Sequence, residues 1–227
     1  MKIIQPTVEL IRPENTSSGI DCLRFIERMA RISHRSEEKQ TLDSWERFIK
    51  SIVMEHGDWS VVEHSYATAI FRVNRGVTHE LVRHRLFSFT QESTRFVNGR
   101  KSYPEGLEFI LSQTLRGVDG VNELGVGCTV SDAVKTAEYI YLNMLDKGVR
   151  PQEARAVLPN ALAATIAVTG NLRNWRHLLL MRTSKETHPD FKQVTLPLLK
   201  TFKERVPLLF DDIEPEQKQS LNMRLPR

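Results

Sequence analysis

Cysteine is scarce. Cys22 and Cys128 are the only two in 227 residues. One distant pair is not the disulfide framework of a small secreted domain, and no CxxC spacing exists for zinc or dithiol chemistry. Neither cysteine has the surroundings of a nucleophile, which excludes an obvious thiol mechanism. Long apolar runs are missing as well. Nothing approaches the roughly 18–20 residues of a membrane-spanning helix, so no membrane partner is expected. The opening Met1-Lys2-Ile3-Ile4-Gln5-Pro6 has neither the long apolar region nor the small-residue cleavage site of a signal peptide. A cytoplasmic location is the expectation for such a cysteine-poor chain. Glycine-rich phosphate loops are absent: there is no GxxxxGK[ST], no GxGxxG after a strand and no GxSxG elbow. His79-Glu80-Leu81-Val82-Arg83-His84 is one residue too long for the HExxH zinc helix. Histidines at i and i+5 diverge around a helix, so no metal is expected.

A large excess of one charge is also lacking. Lys+Arg total 32 against 28 Asp+Glu, a net +4. That is mild for a protein whose main task is coating nucleic acid. The basic side is nevertheless skewed, with 21 Arg and 11 Lys. Arginine presents a planar, permanently charged fork that suits phosphate and carboxylate. Hydrophobic residues at 40% and charged residues at 26% are ordinary globular values. No repeat or linker divides the chain, and residues 1–227 read as a single domain.

Local patterns give an α+β, helix-rich fold with a modest mixed or antiparallel sheet. Residues 20–33 have helical spacing. Residues 44–56 read as a second helix, with Asp43 and Glu46 as a capping box and Gly57 at the stop. Residues 65–73 alternate as a strand, 77–85 look helical, and a polar stretch runs to about 103. Residues 117–128 carry four glycines and read as a surface loop. Helices are expected over 131–147, from Pro151 through Leu158, over 172–183 and over 190–205, with a strand at 161–169.

Chemistry concentrates in Arg83-His84-Arg85-Leu86-Phe87-Ser88-Phe89-Thr90-Gln91-Glu92-Ser93-Thr94-Arg95. Arginine forks bind phosphate bidentately, Ser93 can complete an anion shell, and Gln91 offers a donor and an acceptor to a base or flavin edge. An arbitrary RHR is more often an exposed basic turn forming surface salt bridges. A nucleic-acid-binding module with Arg83, Arg85, Arg95 and Arg100 on phosphates is the rival reading, and the mild net charge and the lack of a long basic helix count against it. A second cluster holds Arg155, Asn171, Arg173, Arg176, His177 and Arg182. There Asn171 is equally a helix N-cap, and His177 equally a packing residue.

Arg83-His84-Arg85, seven residues, then Ser93 resembles the RHR-x7-S signature of the flavin-dependent thymidylate synthases. Ala30-Arg31-Ile32-Ser33, the segment His56 to His64, Glu153-Ala154-Arg155 through Pro159, Asn171-Leu172-Arg173 and Leu180-Met181-Arg182 resemble its other segments in order. In all, residues 20–205 can be laid on the family. The resemblance implies reductive methylation of dUMP to dTMP, with methylenetetrahydrofolate as carbon donor and NADPH as reductant through FAD. It implies that the uracil is activated without an enzyme cysteine and that hydride comes from reduced flavin. A catalytically inactive member is the alternative within the family. FAD positions carried over are Ser60, Arg83, His84, Arg85, Gln91, Asn171, Arg173 and His177. The dUMP positions are Glu80, Arg83, Gln91, Ser93, Thr94, Arg95, Arg155 and Arg182, with Arg182 as the catalytic residue against the uracil ring. A homotetramer with active sites shared between subunits is implied too. Asp58 stands where the family usually has a histidine tied to folate and flavin access, and Glu186 where a histidine is also known.

Overall fold

The computed structural model describes residues 1–11, 18–112, 115, 119–121 and 127–215, with 119–121, 127 and 128 described in backbone alone. Two short strands, β1 (Lys2–Ile3) and β2 (Thr7–Ile11), open the chain. Helix α1 (Gly19–Ile32) follows because Ser18, in extended backbone, accepts from the Asp21 amide at 3.2 Å. This satisfies an otherwise orphaned donor. Cys22, Leu23, Ile26 and Ala30 recur at helical spacing and are buried.

Helix α2 (Ser44–Phe48) does not continue as the regular helix that the spacing predicts. It widens into a π-helical stretch over Ile49–Glu55. The Asp43–Glu46 capping box does not form either. Asp43 has φ −116° and ψ 0°, which is not the extended backbone of an N-cap, and its side chain makes no cap hydrogen bond. Ser44 Oγ instead accepts from the Thr41 amide at 2.8 Å and donates to Glu27 at 2.7 Å. The expected stop at Gly57 holds, with φ +85°. Only glycine adopts that conformation without penalty.

After a tight turn over Trp59–His64 come β3 (Tyr66–Asn74), α3 (Arg75–Leu81), β4 (Ser88–Gln91), α4 (Gly99–Ser102) and β5 (Glu108–Phe109). The alternation read in β3 is real: Ala67, Ala69, Phe71 and Val73 are buried. Strand β4 lies inside the expected polar stretch, since four residues are too few to show a period. The expected loop over 117–128 contains two strands instead. These are β6 (Asp119–Val121) and β7 (Gly127–Thr129), paired antiparallel with Gly120 opposite Cys128. Backbone amides and carbonyls on either side of the connection find partners in each other. Residues 117, 118 and 122–126 of that reading lie outside the described residues.

Helix α5 (Val130–Asp146) starts in a capping box between Thr129 and Asp132, and Gly148 follows it at φ +83°. Then come α6 (Pro151–Ala154), β8 (Ala163–Asn171), α7 (Leu172–Arg182) and α8 (Pro189–Arg205). Strand β1 pairs parallel with β5, and a four-stranded sheet runs in the order β2-β3-β8-β4. The α+β expectation holds, with more strands than the sequence pattern displays.

The chain divides into two compact units. Unit 1 holds Met1–Thr7, Ile70–Arg85 and Phe89–Val168; unit 2 holds Val8–Ala69, Leu86–Ser88 and Thr169–Arg227. Leu107, Phe109, Leu111, Val134, Tyr141, Ala154 and Leu162 form a core cluster in unit 1. In unit 2, Trp175 packs edge-on against Phe87 at 4.9 Å between ring centroids, and Phe202 stacks on Phe210 at 4.6 Å. The Trp175 indole donates to the Ala67 carbonyl at 2.9 Å, so burying its polar edge leaves no unmet donor. Among the described residues, no helix is long and apolar enough to cross a membrane.

Candidate active site

In unit 1 the RHR segment is a turn that ends α3. The Arg83 amide bonds back to Glu80 and the His84 amide to Leu81, at 3.2 and 3.0 Å. Arg83 and Arg85 are exposed, while Glu80 and His84 are half-buried. Among the described residues, neither the Arg83 nor the Arg85 guanidinium has a hydrogen-bond or ion-pair partner. Gln91 ends β4, and its amide donates to the buried Thr78 hydroxyl of α3 at 3.1 Å. That bond fixes the orientation of the Gln91 side chain.

The next residues gather four of the sequence-predicted site residues. Ser93 Oγ accepts from the Arg95 amide at 3.2 Å, and Arg155 donates to the Thr94 hydroxyl at 3.2 Å. Arg95 donates to Gln152 at 3.3 Å and lies 5.2 Å from the Phe96 ring centre. Ser93, Thr94, Arg95 and Arg155 therefore share one neighbourhood, although Thr94 and Arg155 are 61 positions apart in the chain.

Beside them lies a recess whose lining includes Arg75, Glu92, Thr94, Tyr103 and Glu108 together with the apolar Leu107, Leu158 and Leu162. Arg75, which the sequence reading missed, has a buried Nη1 with no hydrogen-bond partner among the described residues. Burial, then the like charge of Arg155, pushes the Arg75 pKa down, and Glu92 only partly opposes this. Two neighbouring guanidiniums and an unmet buried donor are the electrostatic conditions that an anion relieves. The available signal in the sequence was a cation at the first position of a helix, where the helix dipole disfavours it.

Glu92 was missed too. Its carboxylate accepts from Arg72 at 2.6 Å, from the Thr165 amide at 3.2 Å and from the Tyr103 hydroxyl. Burial favours the neutral acid, but Tyr103, Thr165 and Arg72 outweigh it and hold the Glu92 carboxyl below the usual range. Burial and then Glu92 push the Tyr103 phenol up.

Unit 2 carries the remaining predicted residues. Ser60 is exposed on the Trp59–His64 turn, which packs against α7. Arg173 of α7 pairs with Glu63 of that turn at 2.5 Å. Asn171 is the N-cap of α7, its Oδ1 accepting from the Asn174 amide at 2.8 Å. His177 is half-buried, and its Nδ1 is buried without a partner among the described residues. Arg176 is committed locally, donating to Asp212 and the Leu209 carbonyl and covering the Trp59 ring at 4.6 Å. Arg182, at the end of α7, lies over Phe191 at 5.1 Å, and its carbonyl accepts from the Thr195 hydroxyl at 2.7 Å. Asp58 and Glu186 are both exposed.

Residues 20–208 match the model of a family described as thymidylate synthase complementing protein. The chain is 37% identical over 171 residues to a flavin-dependent thymidylate synthase of Corynebacterium efficiens, covering 72% of this chain and 68% of that one. It is 34% identical over 177 residues to the enzyme of the same name from Mycobacterium avium, covering 74% and 69%. Among solved structures it resembles a UMP/dUMP methylase, PolB, from Streptomyces cacaoi bound with 5-Br dUMP. The TM-score is 0.70 at 24% identity, over 92% of this chain and 95% of that one, a likeness that bears on the fold.

Proposed function

The chain belongs to the thymidylate synthase complementing protein family, and from that premise we propose that it makes dTMP by reductive methylation of dUMP. Methylenetetrahydrofolate is the carbon donor, and NADPH is the reductant acting through FAD. The relatives' shared name, flavin-dependent thymidylate synthase, supports the product and the flavin.

The observation that carries the reading is the anion-poor cluster of unit 1. Arg155 and Thr94 are bonded to each other, Ser93 and Arg95 adjoin them, and Arg75 has an unmet donor beside them. This donor set suits the phosphate of dUMP, which takes several charge-assisted bonds at once. Gln91, Glu80 and Arg83 are assigned to the rest of the nucleotide.

A flavin fits the residues present. Arg83 and Arg85 are exposed cations with no partner among the described residues, which suits a diphosphate, and the buried Nδ1 of His177 awaits a partner. Ser60, His84, Gln91, Asn171 and Arg173 complete the assigned set. FAD, when bound, supplies the reducing equivalents. The chain's own residues bind and orient. Arg182 is assigned to the uracil ring, where a fixed guanidinium stabilises negative charge on the N3/carbonyl edge and makes C6 more electrophilic. Cys22 is buried in α1 at 1% exposure, which supports activation without that thiol. A homotetramer supplies the assigned residues from more than one subunit.

Purified protein supplied with FAD is expected to be yellow and to oxidise NADPH faster when dUMP is added. A protein that takes up no flavin, and binds DNA or RNA with steep salt dependence, contradicts the reading.

A further inference from the structure

Glu92 presents a difficulty for a phosphate site. It immediately precedes Ser93 and lines the same recess as Arg75 and Thr94. A bare carboxylate there repels an incoming phosphate and offers Arg75 a competing partner. Arg72 of β3 resolves this. One arm donates to Glu92 at 2.6 Å and to Thr165 Oγ1 at 2.9 Å; the other donates to Glu108 at 2.5 Å. The Glu92 amide meanwhile bonds to the Thr165 carbonyl at 2.8 Å. The residue just before the Ser93–Arg95 segment is thereby tied to β3 and β8 at once.

We infer that Arg72 is a charge-compensating positioning residue: it neutralises Glu92, so that this carboxylate can anchor the Ser93–Arg95 segment without opposing the nucleotide's phosphate. The inference rests on the dUMP reading above and adds a residue that does not itself touch the ligand. Burial acts against the Arg72 charge, but Tyr103 and the two carboxylates outweigh it and raise its pKa. The compensation is therefore permanent across the working pH range. A role that is structural alone predicts different behaviour. It makes the loss of Arg72 independent of whether Glu92 keeps its charge.

The test uses the full-length, flavin-loaded enzyme and measures dUMP affinity and flavin occupancy for Arg72→Met and for Arg72→Met with Glu92→Gln. Arg72→Met is expected to weaken dUMP binding about tenfold or more with flavin occupancy unchanged, because the half-buried Glu92 carboxylate loses its partner beside the phosphate. The double variant is expected to return to within about threefold of the parent, because the opposing charge is gone. Deoxyuridine, which lacks the phosphate, is expected to lose less affinity than dUMP in the single variant. Normal dUMP binding by Arg72→Met overturns the inference, as does a double variant no better than the single one. If Arg72→Met fails to fold, the double variant decides alone: binding within about threefold supports the inference, and binding tenfold weaker overturns it. A parent enzyme that binds no dUMP overturns the dUMP reading itself, whereas a dTMP-forming parent with an indifferent Arg72→Met overturns only the role of Arg72.

Discussion

Two arginine–glutamate pairs, one in each compact unit, share their chemistry and differ in their surroundings. In unit 2, Glu27 and Arg31 are i,i+4 on α1, with Glu27 fully buried. Glu27 accepts from Arg31 at 2.9 and 2.7 Å, from Ser44 at 2.7 Å and from Gln40 at 3.4 Å, and Arg31 lies over the Phe48 ring at 5.1 Å. In unit 1, Arg72 and Glu92 join separate strands, and Glu92 borders a recess that also holds Arg75 with its unmet donor. An arginine–glutamate ion pair is therefore no mark of function by itself. What separates the two is the neighbour: hydrogen-bond donors on every side of Glu27, a cation with an unmet donor beside Glu92. The comparison also accounts for the Ala30-Arg31-Ile32-Ser33 segment, whose arginine ties α1 to the residues that follow it.

Glu27 carries the largest expected effect. Glu27→Leu strands the Arg31 charge and is expected to cost about 3 kcal/mol of stability or more. Chemical denaturation checks it, and dUMP affinity of the folded protein should not change. A loss below about 1 kcal/mol would show that the Glu27 shell is dispensable. Next, Arg182→Ala is expected to lower turnover by roughly 10²-fold while flavin content survives. Steady-state kinetics with near-normal turnover would remove Arg182 from the chemistry.

Arg75→Met sharpens the contrast. It should weaken dUMP binding about tenfold with no loss of thermal stability, since the deleted charge had a buried, unpaired nitrogen. A clear fall in melting temperature with unchanged dUMP affinity would assign Arg75 to the scaffold, like Arg31. The smallest effect is in pH. Glu92 has a depressed pKa, so its unfolded form binds the proton more readily. Its stabilising contribution is full above the ordinary carboxylate pKa and fades as pH falls through the lower folded value. Glu92→Gln should flatten that acid limb of the stability profile, and an unaltered limb would place the acid sensitivity elsewhere.

The parts of the fold that were legible in the sequence are those set by local spacing. Leu23, Ile26 and Ala30 mark one face of α1, Gly57 and Gly148 stop their helices, and β3 alternates. Strands β2 and β4 were not, because four or five residues carry no period above noise. The π-helical widening after Phe48 depends on backbone bonds that no side-chain pattern announces. Of the candidate site, the RHR-x7-S register leads to Ser93 and the adjoining Thr94 and Arg95, and the family segment around Arg155 supplies the hydrogen-bond partner of Thr94. Arg72, Arg75 and Glu92 stayed hidden for a physical reason. Arg72 meets Glu92 across 20 residues and Thr165 across 93, contacts that the sheet creates and a linear reading does not display. Asn171 illustrates the converse, a family position whose side chain also caps a helix.

The proposed function is tested most directly by product. Parent protein incubated with dUMP, methylenetetrahydrofolate, NADPH and FAD should form dTMP, read by chromatography of the nucleotides. Bound, reducible flavin with no dTMP formed would contradict it.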